Sequence, residues 1–220
     1  MKTTSTITCC LVAFALSTVA IQGQILINGD FELPTPVTGP NGNLFTAGQS
    51  FGGWTVSGDT VQQYDTSYHG GTAESGHQFI FLPTFTAEST ATISQAVTGL
   101  SVGVQYQVSW WSSIYTDAVN MGASSGLVSM GGNTVNIAYN DSTVGLHPGD
   151  NTPWIKGQLG FIATSGNMIL SLKGDRAGAG SGSFIAFDDV QLTSVPEPAA
   201  GAVVSGLALL SFAAWSRRKH

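Results

Sequence analysis

Val104 to Trp111 reads "VQYQVSWW". In extended backbone, successive side chains point to opposite faces of a sheet. Tyr106, Val108 and Trp110 then share one face, and Gln105, Gln107, Ser109 and Trp111 share the other. The first set suits a hydrophobic core. The second is polar except for its last member, so Trp111 is left as a large apolar ring among amides and a hydroxyl. That combination marks a half-buried strand with one unusual residue on its outer side.

Similar short runs, separated by Gly, Asn, Asp and Ser, recur along the chain. Strands are expected at 25–27, 51–56, 78–82, 91–97, 105–111, 134–139, 154–163, 168–172 and 184–192. With 28 glycines in 220 residues and 9% charged residues, long amphipathic helices are not expected between them. Nine strands and no helix predict an all-β fold, an antiparallel sandwich. "AGAGSG" (177–182) reads as a loop before the last strand, and "TSVPEP" (193–198) as a short linker.

The two ends read as targeting segments. Lys2 precedes an apolar stretch from Cys9 to Ala20, the length of a signal peptide rather than of a membrane span. Residues 1–23 are therefore expected to be removed, together with Cys9 and Cys10, the only cysteines. The mature chain would then hold no disulfide and no cysteine metal site. At the other end, residues 195–220 run from "VPEP" through an apolar stretch, Ala199 to Trp215, to a basic end. The stretch is near the lower length limit for a single hydrophobic spanning helix. Its trailing Arg217, Arg218 and Lys219 favour the cytoplasmic side.

Residues 24–194 form one domain of a size that supports a real core. They carry three basic residues against twelve acids, a net of −9. Such a surface repels phosphate backbones and argues against nucleic acid as a partner. Neutral polymers and divalent cations suit it better.

Three stretches together carry a resemblance: "NGDFE" (28–32), "ISQAVTGLSVGVQYQVSWW" (93–111) and "FIAFDDVQL" (184–192). With Trp54 after "FGG" and the stretch from Trp154 to "GFIAT", they resemble the galactose-binding-like jelly rolls of carbohydrate-binding modules, including the DUF642 type. The resemblance covers nearly all of residues 24–194 and implies a jelly-roll sandwich. The tail, Val195, Pro196, Glu197 and Pro198 followed by the apolar run and Arg217 and Arg218, resembles the PEP-CTERM sorting signal of Gram-negative bacteria. That likeness implies processing by an exosortase, transient residence of the tail helix in the inner membrane, and release to the cell surface or extracellular matrix. Proteins of this kind accompany exopolysaccharide and biofilm formation. A permanent single-pass anchor is the alternative.

A sugar ring offers CH groups on its face and hydroxyls at its edge, so it both stacks and hydrogen-bonds. Trp111 with Gln105, Gln107 and Ser109 meets that need; the alternative is burial of Trp111 beneath a loop. Tyr64 and Tyr68, beside His69 in "QQYDTSYHGG" (62–71), form a second candidate on an expected loop. Tyr115 extends the Trp111 face if the strand continues. Trp54, Trp110 and Trp154 are read as core.

In the resembled modules, structural calcium often sits where the two ends of the domain meet. Here that implies Glu32 with Asp188 or Asp189, one of the two aspartates facing inward. Calcium takes six to eight oxygen ligands; the alternative is that these acids bond backbone amides.

Catalytic patterns are weak. "GASSG" (122–126) and "GLSVG" (99–103) match a nucleophile-elbow pattern in form only, since that turn needs a following helix. Ser124, Asp141 and His147 stand in hydrolase order with nothing to orient them. His69, His77 and His147 lack zinc-site spacing. The expected function is non-catalytic polysaccharide binding. The rival is a structural or adhesive protein with protein partners.

Overall fold

The computed structural model describes residues 26–34, 42–65, 72–83, 90–116, 124–139, 153–176 and 183–195. They form twelve strands: β1 (Asn43–Phe45), β2 (Ser50–Phe51), β3 (Trp54–Ser57), β4 (Val61–Asp65), β5 (Gln78–Pro83), β6 (Thr92–Thr98), β7 (Gln105–Thr116), β8 (Ser124–Met130), β9 (Asn133–Tyr139), β10 (Ile155–Ile162), β11 (Asn167–Arg176) and β12 (Ser183–Ser194). Two six-stranded antiparallel sheets result. Sheet A has the order β1-β4-β5-β12-β7-β10, and sheet B the order β2-β3-β6-β11-β8-β9.

The last eight strands pair in a nested way. β5 pairs with β12, β6 with β11, β7 with β10, and β8 with β9. Bridging pairs β12–β7 and β11–β8 join them within each sheet. This is a long hairpin rolled into two layers, the jelly-roll arrangement.

The core lies between the sheets. Trp54, Trp110, Phe31, Phe187, Ile80 and Leu172 are fully buried there. The alternation expected in β7 holds: Tyr106, Val108 and Trp110 are buried, while Gln107, Ser109 and Trp111 are only partly covered and Gln105 is exposed.

Several expectations need correction. The expected strand at 25–27 is not one in its described part, because residues 26–28 bend and Asn28 has φ 50°. The Gln95 side chain serves Ile27 in place of a neighbouring strand. Its Oε1 accepts from Ile27 N at 2.7 Å, and its Nε2 donates to Ile27 O at 2.8 Å. The expected strand 51–56 is two strands, broken at Gly52–Gly53 (φ 48° and 90°). Two residues with positive φ between paired Phe51 and Trp54 make the tight hairpin turn that matches strand twist.

Strands β1, β4 and β8 were not expected. In β4 an inward Gln63 breaks the apolar alternation, because its Nε2 donates to the carbonyls of Phe31 and Leu33 at 2.6 and 3.2 Å. In β8, outward serines and an inward Gly126 under Ile185 leave only Val128 and Met130 as core residues. The segment "AGAGSG" and the tail beyond Val195 lie outside the described residues.

Trp154 is not in the central core. It packs on a second cluster of Tyr64, Phe79, Phe81, Phe184 and Ala186, on the outer face of sheet A. Phe79 and Phe81 meet edge to face at 5.0 Å, and Phe79 meets Trp154 at 5.9 Å. Trp154 Nε1 donates to Thr72 O at 2.8 Å, which pins the start of the irregular segment leading into β5.

Candidate functional site

The outer face of sheet A changes character along its length. At the end near Phe79 it is aromatic and covered. At the other end it is polar and open, and Trp111 stands between the two. Register sets Trp111 between Asp188 on β12 and Lys156 on β10. One step along, Ser109 lies between Gln191 and Gln158, and Gln107 lies between Thr193 and Gly160.

Trp111 is half-buried, and the Lys156 ammonium sits 5.5 Å from its ring centre. Gln107 Nε2 donates to Gln158 Oε1 at 2.7 Å across the strand pair. Gln158, Gln191 and Thr193 are exposed. The result is an indole beside amides and hydroxyls that point to solvent. Gly160 leaves the strip open, since nothing lies within 4 Å of where its side chain would start.

The structure thus brings Trp111, Gln107 and Ser109 onto one face, with Gln105 at its far end. Tyr64 does not join them. It lies in β4 rather than on a loop and is buried, with Phe81 5.1 Å from its ring, and its hydroxyl meets Gln62 Oε1 at 3.0 Å. Val61 and Gln63 are anchored inward, so Tyr64 falls on the outer face and under the second cluster. Tyr68 and His69 lie outside the described residues, as do Asp141 and His147. Strand β7 continues through Tyr115, and Ser124 opens β8 rather than a turn before a helix.

Sequence reasoning missed Lys156, Gln158, Gln191 and Thr193. Alternation along "WIKGQLGFI" does pair Lys156 with Gln158, but their place beside Trp111 depends on pairing across more than 40 residues.

The acids at the two ends of the domain converge on one turn. Glu32 Oε1 accepts from the amides of His77 and Gln78, each at 2.7 Å. Asp188 Oδ2 accepts from Ser75 N at 2.8 Å, and its Oδ1 from Asp189 N at 2.7 Å. Both carboxylates therefore hold residues 75–78. Neither Asp188 nor Asp189 enters the space between the sheets, which corrects the expectation that one does. Asp188 is outward by register with Trp111 and is sealed under the turn. Asp189, with φ 44°, sits in a bulge where two residues of β12 oppose Trp110. Its Oδ1 accepts from Gln191 Nε2 at 2.7 Å. The bulge also frees Val190 N to donate to Gly29 O at 2.8 Å, joining the start of the domain to its last strand. Burial pushes the Asp188 carboxyl up to about 7, against the lowering effect of its amide bonds to Ser75, Asp189 and Glu74.

These residues do not fit calcium as placed. Amide N–H groups turn their positive ends toward the carboxylate oxygens, where a cation would need lone pairs. Gln78 Oε1 is buried without a hydrogen-bond partner, but a lone amide oxygen beside amide-bonded carboxylates is not the shell of six to eight oxygens that calcium takes. Among the described residues, no three His, Cys, Asp or Glu side chains gather around a common point.

No protein-family model matches the sequence, and no curated protein matches it. Solved structures do resemble it. TmCBM61, solved in complex with beta-1,4-galactotriose, is 20% identical with a TM-score of 0.48, over 79% of this chain and 100% of that one. The N-terminal CBM22-1-CBM22-2 tandem domain from Paenibacillus barcinonensis Xyn10C is 16% identical, TM-score 0.46, over 84% of this chain and 49% of that one. A putative sugar binding protein from Bacteroides thetaiotaomicron is 12% identical, TM-score 0.45, over 78% of this chain and 100% of that one.

Proposed function

We propose that the chain is a secreted, non-catalytic protein of the bacterial extracellular matrix that binds polysaccharide on the outer face of sheet A. The observation that carries this reading is Trp111: a half-buried indole on the outer face of β7, set among Ser109, Gln107, Gln158 and Gln191. A pyranose stacks its CH face on such a ring while its edge hydroxyls meet the amides. The route outward rests on the sequence: a signal peptide at residues 1–23, and a "VPEP"–apolar–basic tail that an exosortase would process at the inner membrane.

Trp110 and Trp111 give an internal control, because they are adjacent and face opposite ways. Trp111→Ala should weaken binding to a soluble glucan, galactan or xylan about tenfold, near 1.4 kcal/mol, with melting little changed. Trp110→Ala should destabilise the fold by roughly 3–5 kcal/mol as a large-to-small core change. Affinity-gel electrophoresis with parallel thermal melts reads both. If Trp111→Ala unfolds the protein, the indole is structural and the glycan reading loses its support. If wild type binds none of the polymers, the reading as a structural or adhesive protein with protein partners takes its place.

A further inference from the structure

Residues 24–194 contain only three basic side chains, Lys156, Lys173 and Arg176. Two of them lie on β11 in sheet B, where Lys173 approaches Asp175 at 3.9 Å. Lys156 is the only lysine or arginine in the strands of sheet A, and its ammonium rests on the ring where a sugar would stack. Among the described residues it makes no ion pair. The nearest acid in its cross-strand row, Asp188, directs its oxygens to the amides of Ser75 and Asp189 and is fully buried. A region with a net of −9 thus carries, among the described residues, an unpaired positive charge at the candidate binding indole.

We infer that the Trp111–Lys156 pair selects carboxylated sugars, so that the polymer bound is a uronic-acid-containing polysaccharide. The inference rests on the glycan reading given above. A uronate on the indole brings its carboxylate within reach of the ammonium, a charge-assisted contact that a neutral sugar lacks. A stacking sugar moves the ammonium from the ring face toward its edge, and the uronate carboxylate then replaces the cation–π contact that a neutral sugar would remove without return. Elsewhere the acidic surface repels such a polymer, which confines its docking to this point.

Polygalacturonate and the same polymer methyl-esterified share one backbone and differ in whether each carboxyl is charged or capped as a methyl ester, and both would be titrated against the full chain. Wild type should bind the charged form at least fivefold more tightly at low salt, and the preference should shrink as sodium chloride screens it. Lys156→Gln should bring the ratio to about one with melting unchanged, while Lys156→Arg should keep it. Equal affinity of wild type for the two polymers, or a preference that survives in Lys156→Gln, overturns the inference and leaves glycan binding in place. Failure of wild type to bind these or any neutral polymer overturns the glycan reading itself.

Discussion

Asp188 is the residue whose environment is most at odds with its chemistry. Its carboxylate is fully buried, yet it is anchored by backbone amides rather than by a cation. Its pKa rises from 3.8 to about 7 because burial disfavours the charged form more than the amides favour it. A raised folded-state value contributes stability that is complete below about pH 4 and is lost as pH rises through 7. The largest swing is roughly 4 kcal/mol. Asp188→Asn removes the titration, so its melting temperature relative to wild type should climb between pH 4 and pH 8. An Asp188 side-chain carbon signal should titrate with a midpoint near 7. A midpoint near 4, or a difference between the two proteins that does not vary with pH, would refute this. Nothing in "FDDV" announces such a residue. Two adjacent aspartates look alike in sequence, and only the bulge at Asp189 sends one under the turn and leaves the other bonding Gln191.

At the level of the element, β7 was the most legible part of the chain and β8 the least. Strict alternation from Gln105 to Trp111 fixed both its facing and the odd position of Trp111, because one face is buried and the other wet. β8 was hidden because two of its outward residues, Ser125 and Ser129, are serines, and one of its inward positions is a glycine facing Ile185. The tyrosine at 64 was misplaced for a similar reason. An inward glutamine masked the strand that carries it, and its partner Phe31 O comes from a segment 32 residues away. Pairing creates a further constraint that composition cannot show. Gly157 on β10 lies opposite Trp110, and a methyl group there would enter the indole ring. Gly157→Ala should therefore cost about 1–3 kcal/mol as overpacking, whereas Gly160→Ala, which meets open space, should be near neutral. Urea denaturation of the two variants checks this, and equal midpoints would contradict the packing described.

Across the whole molecule, the start and the end of the domain are tied through the turn at 75–78 and through Val190 N to Gly29 O. Glu32→Ala should lower stability by about 2 kcal/mol through two lost charge-assisted bonds, in calcium and in EDTA alike. Wild type should melt within about 1 °C in either condition, since binding to the native state alone would raise the melting point with ligand concentration. A rise of several degrees on adding calcium would mean that the turn rearranges to admit the ion. The nested pairing of β5 to β12 has a temporal side as well. Among these eight strands only β8 and β9 are joined by a two-residue turn, Gly131–Gly132, and each later pair closes around the one before it. Closing an outer pair is cheap once the inner ones have shortened the effective loop. The last to close is β12, which alone bridges β5 and β7. Until residues 183–194 have been synthesised, β1-β4-β5 and β7-β10 have no strand to join them, so sheet A is completed only when the final strand of the sandwich arrives.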